Sequence, residues 1–65
     1  MLVLRAERQR KGWSLTEVTR RTGISESHLS NIERQLIPAY PGWKRRISKA
    51  FGMSASELFR EVEDD

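Results

Sequence analysis

Sixty-five residues carrying twelve Lys or Arg, nine Asp or Glu, one His and no Cys form one small domain, which buries only about 60% of the surface its unfolded chain exposes. This excludes a second domain, the large cleft most enzymes build between layers, a disulfide staple and a thiolate metal site, and one histidine makes no metal site alone. Hydrophobic residues make up 37% in runs too short to span a membrane, and Arg5 interrupts Met1-Leu2-Val3-Leu4 too early for a secretory signal, so a soluble, cytoplasmic protein with no cofactor and no enzymatic activity is expected.

Capping residues divide the chain. Leu4 and Arg8 lie four apart in a stretch from Leu2 to Lys11 without Gly, Pro or Asn, and Gly12 closes this first predicted helix. Ser14-Leu15-Thr16-Glu17 reads as a capping box: the Ser14 hydroxyl accepts from the Glu17 amide, and the Glu17 carboxylate reaches back to the Ser14 amide. A second helix follows over 15–22, with Trp13 placed to staple it. Gly23 ends that helix in the left-handed conformation, and Ser25 caps a third carrying Leu29 and Ile32 on one face.

Pro38 keeps the 35–40 segment from continuing the third helix, and Pro41 suits the first turn of a fourth. There Trp43, Ile47, Ala50 and Phe51 line one face, Lys44, Arg45, Arg46 and Lys49 occupy the rest, and Gly52 stops it. A second capping box, Ser54-Ala55-Ser56-Glu57, opens a short last helix whose Leu58, Phe59 and Val62 close the core. No stretch alternates with period two, so the fold class is all-α with five helices and no sheet.

Charge is unevenly placed. Glu61, Glu63, Asp64 and Asp65 hold four of the nine acids, so residues 61–65 read as an acidic, frayed tail on a basic body over 1–60. A basic body suits a polyanion, although a solvated helix face gives the same composition.

Two short helices joined by a Gly-containing turn have the layout of a helix-turn-helix. Val18, Leu29 and Ile32 pack at the crossing, Ile24 plugs the turn, and Glu26, Ser27, His28, Ser30 and Asn31 face outward with side chains able to reach base edges. Across Leu4 to about Phe59 the chain resembles the xenobiotic response element family, the class of the phage repressor and Cro proteins. The resemblance rests on Leu4-Arg5 with Arg8 and Lys11-Gly12, Ser14 with Glu17-Val18, Gly23-Ile24-Ser25, Leu29-Ser30-Asn31-Ile32-Glu33-Arg34, and Ile47 to Ser54 with Glu57-Leu58-Phe59.

The resemblance implies a lambda-repressor-like DNA-binding domain whose third helix, from Ser25, enters the major groove. Glu26, Ser27, His28 and Asn31 would face bases, with Ser30 and Arg34 nearer the backbone. Asn31 has the amide to pair with adenine N6 and N7, whereas Glu26 repels phosphate unless it accepts from cytosine N4. The Ser14, Leu15 and Thr16 amides would meet a phosphate. Lys44 and Arg45 serve equally well as phosphate contacts or as a solvated face. Arg8 and Glu33 would pair the first and third helices.

Departures from the family pattern are Leu15 in place of a polar residue, Thr19 in place of a small Ala at the helix crossing, Gln35 in place of Gly, and an apolar 36–40 loop. The expected function is a sequence-specific, double-stranded DNA-binding transcriptional regulator, a repressor acting as a homodimer without chemistry. The alternative is a protein-interaction module, antitoxin-like or an adaptor subunit, meeting its partner through Leu36, Ile37 and Tyr40.

Overall fold

Serine hydroxyls start three of the helices. In a computed structural model describing residues 1–63, Oγ of Ser14, Ser25 and Ser54 accepts from the amides of Glu17, His28 and Glu57 at 3.1, 3.2 and 3.2 Å. The elements are α1 (Val3–Arg10), α2 (Leu15–Thr22), α3 (Glu26–Glu33), α4 (Pro41–Phe51) and α5 (Ala55–Leu58), an all-α fold of the lambda-repressor-like kind. Pro41 occupies the first turn of α4, and Gly23 closes α2 in the left-handed conformation at φ 75°.

The expected capping boxes form by half. Neither carboxylate reaches back to its cap: Glu17 bonds Arg20 and Arg21, the latter at 2.6 Å through Nε, and Glu57 bonds Arg60 at 2.8 Å. A guanidinium three or four residues downstream offers a charged donor, which outcompetes a neutral amide for the carboxylate.

Leu4, Val18, Ile24, Leu29, Ile32, Ile47 and Leu58 form the centre of the core, each no more than 2% exposed, with Leu2 and Phe51 beside them. Every helix therefore contributes at least one apolar anchor. Trp13 reaches further than a staple on α2: its ring meets the Phe51 edge at 5.1 Å between centroids, while the Arg21 guanidinium of α2 lies 4.1 Å from its centroid. The Thr19 hydroxyl is buried without a hydrogen-bond partner among the described residues, the cost of a polar group at a position suited to Ala.

α1 starts without a capping side chain, and the far end of the chain takes over that task. Val3 N donates to Arg60 O, Leu2 and Glu61 form an antiparallel bridge, and Met1 and Val62 exchange two bonds of 2.8 Å. Amides at a helix start need acceptors, and the Arg60 carbonyl supplies one to Val3 where no Ser, Thr, Asp or Asn is present. Glu61 and Val62, the first residues of the acidic tail, thus pair with the start of the chain. Asp64 and Asp65, also assigned to the tail, lie outside the described residues.

Gln35 adopts φ 60°, the left-handed conformation expected from its replacement of Gly. Its amide donates to Ile32 O and that of Leu36 to Asn31 O, which closes α3 in a Schellman-type turn. The Gln35 side chain also donates to Glu61 at 2.9 Å, pinning the third helix's end to the C-terminal segment.

Candidate nucleic-acid interface

α3 sends its residues in two directions. Leu29 and Ile32 enter the core, and Glu33 is 7% exposed. Its carboxylate accepts from Arg8 Nε at 2.7 Å and from Arg8 Nη2 at 3.0 Å, while Arg8 Nη1 donates to Trp13 O at 2.9 Å. This bidentate pair bolts α1 to α3 and also fixes the chain entering α2, so the pairing implied by the resemblance is present in the fold. Both ions are bonded several times, which offsets the cost of removing them from water.

The other side of α3 is open. Glu26, Ser27, His28 and Arg34 are exposed, and Ser30 and Asn31 are half-buried. The Asn31 amide group has no hydrogen-bond partner among the described residues, so its donor and acceptor are both available. Ser25 is occupied at the cap, accepting from the His28 amide and meeting His28 Nδ1 at 2.9 Å.

Beside this face lies the start of α2. Glu17 turns towards its arginines and leaves the Ser14 amide free, and the Leu15 and Thr16 amides, first-turn donors with no carbonyl behind them, also make no bond within the described residues. The Leu15 side chain packs on the core, so this position offers its backbone alone. A cleft of about 300 Å³ adjoins it, lined by Arg5, Arg8, Leu15, Ser30, Glu33 and Arg34. Arg8 is committed to Glu33, whereas Arg5 and Arg34 have no carboxylate partner among the described residues. Free amides, a helix N-terminus and two unpaired guanidinium groups suit an anion.

Nothing in the sequence separates Arg5 from the other arginines of α1; the fold does, by pairing Arg8 with Glu33 and Arg10 with Glu7 and leaving Arg5 exposed without a carboxylate among the described residues. Lys44 goes elsewhere: its Nζ lies 5.3 Å from the Phe59 ring and lines a groove with Leu36, Ile37 and Pro38. Arg45 is exposed on α4. The apolar loop is split, with Ile37 packed against the core and Leu36 and Tyr40 each 61% exposed.

No helix among the described residues is long and apolar enough to cross a membrane. No match was found among curated proteins or solved structures. A family model described as a helix-turn-helix domain matches residues 2–60, and domains of this kind bind DNA by placing the second helix of the motif in the major groove. That span takes in α1 to α5, and α2, the Gly23 turn and α3 have the required layout: the chain belongs to the helix-turn-helix domain family.

Proposed function

We propose that the protein is a sequence-specific regulator of transcription, of the phage repressor and Cro kind, that occupies double-stranded DNA and performs no chemistry. The observation carrying this reading is the α3 outer face: Ser27, His28 and Asn31 stand on a helix whose opposite side is fixed by Leu29, Ile32 and the Arg8–Glu33 pair. The Ser27 hydroxyl, the Asn31 amide group and His28 Nε2 make no bond among the described residues, and unsatisfied polar groups on a rigid helix are what base readout needs. Arg5, Arg34 and the α2 amides then hold phosphates and set the register, with Arg45 a further contact.

Dimerisation through Leu36 would place two α3 helices about 34 Å apart, one turn of duplex. Selection from a random duplex pool, followed by titration over a range of salt, tests the reading. A preferred duplex with a steep salt dependence is expected, and Leu36→Asp should lower dimer population and affinity together. Equal affinity for every duplex would sink it.

A second reading takes its support from the groove lined by Leu36, Ile37 and Pro38. A protein-interaction module would bind a polypeptide there, with little response to salt.

A further inference from the structure

Three helices begin with Ser at the cap, and each has an ionisable residue three positions on: Glu17, His28 and Glu57. The two carboxylates turn away to arginines. His28 alone turns back, its Nδ1 lying 2.9 Å from Ser25 Oγ. A neighbour on another helix lies against the ring. Trp43 of α4 packs against the core and stands 4.9 Å from the imidazole, centroid to centroid, with the planes inclined at 37°. Tyr40 backs Trp43 at 4.9 Å. The row Tyr40–Trp43–His28 runs from the cap of α4 to the exposed face of α3.

From this arrangement we infer that His28 reads a purine N7 in the major groove through an Nε2–H donor, and that Trp43 is the positioning residue that holds the ring for this contact. The inference rests on the proposal that α3 faces the bases.

Ser25 Oγ accepts from the His28 amide and keeps one lone pair and one proton, so its 2.9 Å contact with Nδ1 fits either direction. We take the direction in which the hydroxyl donates to Nδ1, which leaves the neutral ring's proton on Nε2. A doubly protonated ring also donates from Nε2. In both charge states the outward nitrogen is a donor, and it has no partner among the described residues. Purine N7 is the acceptor that guanine and adenine share on the major-groove edge; guanine O6 and thymine O4 also accept there, while cytosine N4 offers only a donor, and the deaza substitution separates N7 from the other two. The contact therefore separates purine from cytosine while leaving guanine and adenine to be distinguished by another residue. Trp43 contributes by restricting the ring: a face held on one side and an Nδ1 held on the other leave few orientations for Nε2, which reduces the ordering cost on binding.

The test uses the full chain and the duplex selected from a random pool, with 7-deazaguanine or 7-deazaadenine replacing one purine at a time. At one position the parent should lose about threefold to tenfold in affinity, the range for a single net hydrogen bond. His28→Ala should lose a similar factor on the unmodified duplex and lose no more on the deaza duplex. Trp43→Phe should retain the sensitivity, and Trp43→Leu should lose it while keeping its affinity for random duplex. Ring nitrogen-15 shifts of the free parent protein report the tautomer without any variant, and a protonated Nε2 is expected. A neutral ring protonated on Nδ1, or His28→Ala still sensitive to the deaza base, would overturn the inference. So would a parent that has a preferred duplex but tolerates every deaza purine, and this outcome leaves the reading of α3 intact. A parent with no preferred duplex overturns both.

Discussion

Glu33 and Asn31 sit two residues apart on α3 and meet opposite fates. The Glu33 carboxylate is buried with both oxygens bonded to Arg8, and the half-buried Asn31 amide is bonded to nothing in the described chain. The comparison teaches that a polar residue in a small domain is either consumed by the fold or left over for a ligand. Which of the two applies is settled by what stands opposite. Two residues along a helix rotate a side chain by roughly 200°, enough to exchange the α1 contact for the open surface.

The largest effect should come from breaking the consumed member. Glu33→Ala leaves the Arg8 guanidinium without its carboxylate and should cost about 3 to 5 kcal/mol of folding free energy. A domain of this size has about 3 to 10 kcal/mol in total at roughly 0.05 to 0.15 kcal/mol per residue, so the thermal transition should fall steeply or disappear. Melts that overlay the parent would show the pair to be ornamental. Asn31→Ala is the opposite case: thermal melting should be nearly unchanged, while affinity for the selected duplex falls by about 1 to 3 kcal/mol and discrimination relaxes at one base pair. A uniform loss on all duplexes would remove Asn31 as a reader, and a lowered melting temperature would move it to the consumed class.

Thr19 blurs the division, since its hydroxyl is buried yet unpaired among the described residues. Thr19→Val keeps the shape and removes the unsatisfied group, so folding stability should rise by about 1 kcal/mol with DNA affinity unchanged. A destabilised variant in denaturant titration would mean that the hydroxyl is paired in solution. Gln35→Gly should relieve the left-handed strain and gain somewhat less, about 0.5 to 1 kcal/mol, because the bond to Glu61 is lost with the side chain.

The smallest effect belongs to Glu17. The hydrogen bond from Arg20, opposed by desolvation and helped by a further bond from Arg21, holds its carboxyl below the ordinary value of 4.5. A folded-state value below the unfolded one gives a contribution present above pH 4.5 and lost as pH falls through the lowered value. Thermal melts from neutral to acid pH should therefore show a shallower acid decline for Glu17→Gln than for the parent, and equal declines would remove this pair from the account. Glu7 beside Arg10 behaves in the same sense.

The local elements were readable because their causes are local. Ser14, Ser25, Ser54, Pro41, Gly23 and Gly52 act within one helical turn, so sequence spacing alone places helix starts and stops, and period 3.6 selects Leu29, Ile32, Ile47 and Phe51 for the interior. Spacing also made Ser27, His28 and Asn31 outward-facing before any packing was known. What required the tertiary structure is every outcome decided by a competing partner from elsewhere in the chain. The C-terminal segment caps α1 because Arg60 and Val62 arrive beside Met1 and Val3. Lys44 covers Phe59 rather than joining Arg45 in solvent, Trp13 finds Phe51, and the His28 ring lies against Trp43. Such choices depend on distances between residues far apart in sequence, and a hydrogen bond or ring contact of about 1 kcal/mol is enough to settle a side chain among rotamers of similar energy.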